Sequence, residues 1–237
     1  SSDLNFEGIQ FLVENPYWEG AKISLYSAGE ESIASMPNIK VGKFITQVIL
    51  QNIEVEDIDL SNATDLRSAW VQNNPALQKL DLSYSTIWGQ GDKETEGNGT
   101  YGSSLMVLGC PILKEIKLPE KNELKAYRID IECLDALETF DMSNVKMVAE
   151  LSIGDLNKDF NLVYPELTIF YSEDGYAGTY FACSENTFYR ESTQAFLKAN
   201  YTDIDPDDTV RRLGYTSSLS YDKNKGCRWR TLLNKQK

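Results

Sequence analysis

The chain has 237 residues, 41% of them apolar, enough for a substantial core in one large domain or two small ones. Its 36 acidic residues against 23 basic ones give a formal charge of −13, a surface that repels phosphate backbones and anionic lipids, so nucleic acid is not an expected partner. The absence of histidine excludes Ser-His-Asp and Cys-His arrangements, imidazole metal ligands and a histidine acid or base, leaving carboxylate, lysine or tyrosine chemistry.

Residues 1–44 open the chain with an aromatic cluster (Phe6, Phe11, Tyr17, Trp18, Tyr26) punctuated by glycine and proline. They read as an N-terminal cap, because the open end of a stacked sheet is adhesive and needs a cover. The chain starts at Ser1 with neither Met nor the basic and apolar regions of a signal peptide, a pattern that fits either a removed leader or a trimmed N-terminus. No stretch reaches the roughly 18–20 apolar residues of a transmembrane segment.

From Ile45 a repeated frame takes over, with apolar residues at positions one, four and six. Ile58-Asp59-Leu60-Ser61, Leu80-Asp81-Leu82-Ser83 and Phe140-Asp141-Met142-Ser143 share one phrase, apolar, Asp, apolar, Ser. Each follows a further apolar position, Val55, Leu77 or Leu137, by three residues. A fourth copy has Leu113, Ile116 and Leu118, with Lys117 and Pro119 in the polar slots. The first positions are separated by 22, 36 and 24 residues, and the long interval contains a polar, glycine-rich insertion at about 89–100. Removing about a dozen residues restores the ordinary spacing, as for a loop projecting from a stack of similar units.

An echo of the frame lies 11 residues after the phrase, in Leu66-Ala69-Val71, Leu124-Tyr127-Ile129 and Val148-Leu151-Ile153, with Trp88 in the first slot of the interrupted unit. Ile45-Val48-Leu50 fits the same echo. Each unit is therefore expected to have two extended legs, whose alternate side chains enter a narrow interior. Asn62, Asn73-Asn74-Pro75, Pro119 and Asn144 supply the bends between legs. An amphipathic helix on the return leg is the competing reading. The Val and Ile content favours a strand or an irregular turn.

After Pro165-Glu166-Leu167-Thr168-Ile169-Phe170 the repeat is lost, and residues 171–237 read as a C-terminal cap. One helix is expected over Thr187–Asn200, with Phe188, Ala195, Phe196 and Ala199 on one side and Ser184 near its cap.

Pro75-Ala76-Leu77-Gln78-Lys79-Leu80-Asp81-Leu82-Ser83, Cys110-Pro111-Ile112-Leu113-Lys114-Glu115-Ile116-Lys117-Leu118-Pro119 and Leu137-Glu138-Thr139-Phe140-Asp141-Met142-Ser143-Asn144 resemble leucine-rich repeats. The second, with Cys before its repeat, is similar to the bacterial surface-antigen (BspA-like) branch. The resemblance covers about residues 45–170. It implies a β-rich (α/β) leucine-rich repeat solenoid: a right-handed coil with a parallel sheet on one face, few helices and capped ends. It also implies a secreted or cell-surface protein that binds a protein or peptide partner without being an enzyme. An anchor through a removed, lipid-bearing N-terminal segment is one route to the surface.

The outward slots of the phrase form columns. Asp59, Asp81, Lys117 and Asp141 make one; Ser61, Ser83, Pro119 and Ser143 the next; Asp57, Lys79, Glu115 and Thr139 the preceding one. As a functional surface these columns would select a partly basic partner, with Asp59, Ser61, Lys79, Asp81, Ser83, Lys117, Asp141 and Ser143 in contact. As a bland surface, Asp and Ser only hydrate the sheet. Tyr84, Trp88 and Tyr101 flank the insertion and make a glycan-binding region at 84–101 the alternative, against Trp88 simply filling its core slot. Paired carboxylates for glycoside hydrolysis stay open, though none is singled out.

Asp155, Asn157, Asp159, Asn161 and Glu166 have calcium-loop spacing, but Phe160 stands where the turn needs glycine. Asp203, Asp205, Asp207 and Asp208 make a second acidic turn. Both are expected to be ordinary polar turns, and no cofactor or metal is expected. Cys110 and Cys133, 23 residues apart, read as small buried residues in adjacent units, with a disulfide between them as the alternative.

Overall fold

Alternating apolar and polar residues become nineteen strands among the described residues. The computed structural model describes residues 10, 13–15, 19–27, 33–90, 102–157, 159–168, 172–173, 176–177, 180–200, 216–222 and 226–232. The first part runs through β1 (Ala21–Tyr26), β2 (Ala34–Ser35), β3 (Ile39–Lys40), β4 (Ile45–Gln51), β5 (Ile53–Glu54), β6 (Ile58–Asp59) and β7 (Ser68–Gln72). The middle holds β8 (Lys79–Asp81), β9 (Ser104–Leu108), β10 (Glu115–Lys117), β11 (Leu124–Leu134), β12 (Thr139–Asp141), β13 (Val145–Leu156) and β14 (Asn161–Val163). Then come β15 (Ser172–Glu173), β16 (Tyr176–Ala177) and β17 (Tyr180–Cys183), helices α1 (Glu185–Phe188) and α2 (Glu191–Asn200), and β18 (Thr216–Asp222) with β19 (Gly226–Leu232). The fold is strand-rich, and its central sheet is parallel.

That sheet has seven strands in the order β1-β4-β7-β9-β11-β13-β17, which is also their order in the chain. It is built from the echo frame rather than from the Asp-Ser phrase. The phrase forms strands of only two or three residues, paired in parallel as β3 with β6, β8 with β10 and β12 with β14. The core lies between these short strands and the sheet. Val55, Leu77, Leu113, Leu137 and Phe160 enter it from one end of the phrase; Leu60, Leu82, Leu118 and Met142 enter from the other. Val48, Ala69, Leu105, Ile129, Leu151 and Phe181 form one inward row of the sheet, and Leu50, Val71, Val107, Ile131, Ile153 and Cys183 the next.

One echo is displaced. Ala126, Ile129 and Ile131 stand opposite Val148, Leu151 and Ile153 and fill the core rows, while Tyr127 turns outward and donates to Glu150 Oε1 at 3.3 Å. The corner after Leu118 holds two residues more than those after Leu60 and Met142, so the Leu124-Tyr127-Ile129 frame falls two residues short of alignment with its neighbours.

The corner that leads from sheet back to short strand is a ladder of its own. Asn52, Asn73, Gly109 and Cys133 occupy the same register position and all have positive φ, between 53° and 64°. Asparagine and glycine tolerate this left-handed turn, whereas cysteine seldom adopts it. The amides donate down the ladder, Asn52 to Gln72 O, Asn73 to Leu108 O and Gly109 to Glu132 O, at 2.8–3.0 Å.

The expected helix over Thr187–Asn200 is broken in two. The Ser184 hydroxyl caps α1, and the chain turns at Tyr189 and Arg190 before α2. Arg190 leaves helical geometry to donate to the carbonyls of Phe160, at 3.0 Å, and of Leu156 and Asn157. As a result α2 buries Thr193, Phe196 and Leu197, and leaves Ala195 and Ala199 exposed. Phe196 stacks on Tyr164 at 4.5 Å and tilts against Phe181, closing that end of the core.

Candidate functional site

The phrase residues lie on one outward face, and the structure gives its Asp a local task. Asp59 Oδ1 accepts the amide of Ser61 at 2.9 Å, Asp81 that of Ser83 at 3.0 Å, and Asp141 that of Ser143 at 2.8 Å. These are Asx turns that bend the chain from short strand toward sheet. Proline has no amide hydrogen to satisfy, so a unit with proline in the Ser slot needs no Asp. Both such units obey this: Lys117 precedes Pro119, and Val163 precedes Pro165. The two letters of the phrase therefore change together for a backbone reason.

This pairing makes a double-mutant cycle informative. Asp81→Ala is expected to cost about 0.5–1.5 kcal/mol in the parent chain. It should cost less in a Ser83→Pro background, where only the contact with Lys79 remains to be lost, as read from urea denaturation midpoints. Equal costs in both backgrounds would show that the carboxylate acts through something other than the turn.

The face is also internally paired. Lys79 Nζ lies 3.1 Å from Glu115 and 3.3 Å from Asp81, and both contacts raise its pKa. Lys117 reaches Glu120 at 3.2 Å. The Ser61 hydroxyl and amide, helped by Lys40, hold the Asp59 carboxyl below its usual range. Burial pushes Asp81 up, but the Ser83 hydroxyl and amide together with Lys79 outweigh it and the net direction is down. All eight residues of the sequence-predicted face are thus brought to one side of the molecule, with Asp141 and Ser143 at one end and Asp59 and Ser61 toward the other.

Ser61 also faces a cleft on the rim where short strands turn toward the sheet. This cleft, of about 660 Å³, lies between the turns at 42–43 and 61–65, with Thr86 on one side and Glu14 and Asn15 on the other. The turns are stitched together: Asp65 N donates to Lys43 O at 3.3 Å, and Thr86 N and Oγ1 donate to Thr64 O at 2.8 and 3.0 Å. Gly42 permits the approach of the Glu14 wall, because a Cβ on it would sit 1.8 Å from the Glu14 carbonyl oxygen. Sequence reading missed this cleft, since its walls come from segments up to about 70 residues apart.

A second unforeseen cluster lies on the outer side of the sheet. Asp130 and Glu132 on β11 are fully buried. Asp130 Oδ2 accepts from Arg128 at 2.8 Å, and Glu132 Oε1 accepts from the Ser152 hydroxyl at 2.6 Å. Gly154, opposite Glu132 in register, leaves room for that carboxylate: a Cβ there would stand 3.1 Å from it. β18 packs against β11, β13 and β17. Burial raises the Asp130 pKa, with Arg128, Glu132 and Ser152 pulling the other way.

A carboxyl whose folded pKa is raised binds its proton more tightly in the native state, so its stabilisation is complete below the unfolded value near 3.8 and is lost as pH rises through the folded pKa. Asp130→Asn keeps a neutral polar group and removes this loss. The variant is expected to gain stability over the parent progressively above about pH 4, by denaturation at several pH values. A difference independent of pH would contradict the burial assignment.

The other candidates are placed as follows. Trp88 is completely buried in its core slot, while Tyr84 is 48% exposed. Residues 91–101, most of the insertion and Tyr101 with it, lie outside the described residues, as does the acidic turn at 203–208. In the 155–166 segment, Asn157 Oδ1 accepts the amide of Asp159, Phe160 enters the core, and Glu166 pairs with Lys146 at 3.1 Å. No group of three or more metal-ligating side chains occurs among the described residues. Cys110 and Cys133 are both buried but are not bonded to each other: Cys110 and Cys183 are free, their thiols pushed up to about 12 by burial, while Cys133 is disulfide-bonded. No helix among the described residues is long and apolar enough to cross a membrane. No protein-family model, curated protein or solved structure matches the chain.

Proposed function

We propose that the chain is a leucine-rich repeat solenoid of the bacterial surface-antigen (BspA-like) type, acting as a non-enzymatic interaction module. In this reading one turn of the coil is a short front strand, an Asx corner, a sheet strand and a left-handed corner. The segments before 45 and after 170 serve as its caps. The module binds a protein or peptide on the front face, through Asp59, Ser61, Lys79, Asp81, Ser83, Lys117, Asp141 and Ser143.

The observation that carries the reading is the alignment of those side chains on one face by a repeated backbone. Each Asp gives Oδ1 to its turn, and at Asp81 the second oxygen holds Lys79 on the same face, so the turn role and a binding role are compatible. An acidic column suits a partner with basic side chains, which it would also attract over distance. The disulfide at Cys133 supports export, since such bonds persist in oxidising compartments.

The test uses the chain's own substitution pattern. Asp81→Lys combined with Ser83→Pro copies the fourth unit and reverses charge while preserving the corner. Against a displayed library of Lys- and Arg-containing peptides, the best binders are expected to lose about tenfold or more in affinity to this variant. Unchanged affinity, with the variant folded, would remove the front face as the binding surface.

A further inference from the structure

We propose that the rim cleft between the turns at 42–43 and 61–65 is a second binding site, for a neutral carbohydrate. It shares only Ser61 with the front face and does not depend on that reading. The volume of about 660 Å³ falls within the roughly 300–1,000 Å³ range of small-molecule sites.

The functional groups left facing the cleft decide the ligand class. Among the described residues, the side-chain amides of Asn15 and Asn62 and the Lys43 ammonium hold no hydrogen bond or ion pair within the protein. Asp65 gives only Oδ1 to the Thr64 hydroxyl, at 3.0 Å. The Glu14 charge is answered at 3.9 Å by Lys40 and at 3.4 Å by Gln10. The open set is therefore two amides, one carboxylate oxygen and an ammonium that lies 5.5 Å from the Phe44 ring centre, mixed donors and acceptors with nearly balanced charge.

A phosphate or sulfate would meet the Asp65 and Glu14 carboxylates in a chain of formal charge −13. A lysine or arginine side chain would meet Lys43. Adjacent sugar hydroxyls, each both donor and acceptor, can satisfy an amide and a carboxylate together without bringing charge. The cleft is also prebuilt: its turns are tied by the Asp65–Lys43 and Thr86–Thr64 bonds, so little ordering is required when a ligand enters.

The experiment is an array of neutral oligosaccharides with sialylated and sulfated members as the anionic arm, probed with the full chain. The best neutral oligosaccharide and tetralysine are then titrated by calorimetry. A neutral oligosaccharide is expected to bind saturably, and Asn62→Ala and Asp65→Asn should each weaken it by about tenfold. Asn15→Ala, on a different segment, should weaken it as well and guards against a folding artefact at either turn. The Asp81→Lys, Ser83→Pro variant should bind the sugar unchanged, which separates this site from the front face. Absence of any neutral ligand, preference for the anionic members or tetralysine, or affinity unmoved by Asn62→Ala and Asn15→Ala would overturn the proposal.

Discussion

Trp88→Ala is expected to lower the unfolding free energy by about 3–5 kcal/mol, the largest effect of any single truncation proposed for this chain. Trp88 is completely buried and is the last residue of its unit to enter the core before the insertion. Around it the chain is pinned at several points. Its amide donates to Ser85 Oγ at 2.9 Å, its indole Nε1–H reaches the Ser104 carbonyl at 3.5 Å, and the next amide donates to Ser103 Oγ at 2.6 Å. The indole thus joins the two ends of the insertion across the core. Truncation would remove both the buried ring and that bridge, leaving a cavity that a neighbour pinned by backbone bonds cannot refill. Chemical denaturation would measure the loss, and a change below about 1 kcal/mol would place the ring outside the load of the core.

Gly42→Ala is the second. With 1.8 Å between the added carbon and the Glu14 carbonyl oxygen, backbone must move, not a flexible side-chain tip. The bond from the Gly42 amide to Val13 O, at 2.9 Å, is lost along with the burial of Val13, now 1% exposed. Together these contributions are about 2–4 kcal/mol. The variant should melt earlier and lose hydrogen-exchange protection at residue 42. Because Glu14 and Asn15 form one wall of the rim cleft, the same change should alter any ligand affinity there while sparing the front face. Wild-type melting would mean that the 13–15 segment docks more loosely than its contacts indicate.

The apolar skeleton was legible because burial with a fixed period leaves a direct trace in sequence. Val55, Ile58 and Leu60, and their counterparts through Met142, are buried as their spacing requires. Tyr127 shows where that legibility stops: Leu124-Tyr127-Ile129 and Ala126-Ile129-Ile131 both fit the frame, and only the register of β11 against β13 tells them apart. The Asn52–Asn73–Gly109–Cys133 corner was half visible: asparagine and glycine signal left-handed backbone, and cysteine does not. The Asp of the phrase looked like surface chemistry and proved to be turn chemistry as well, a distinction carried only by which units place proline two residues later. Strand alternation places Asp130 and Glu132 on the outer side of the sheet, yet both are buried. Nothing local shows that the outer side is covered there. The rim cleft was invisible for a related reason, its walls coming from segments far apart in the sequence.

The order of the central sheet has a consequence for how the protein forms. Each strand between the two edges, β1 and β17, pairs with the sheet strand made before it and the sheet strand made after it. No strand has to be inserted between two already joined, and no pairing waits for the far end of the chain. Loop closures between neighbours stay short, which keeps their entropic cost low. Assembly can therefore advance from the amino terminus as the chain emerges, each new strand meeting an edge already in place and becoming the edge for the next.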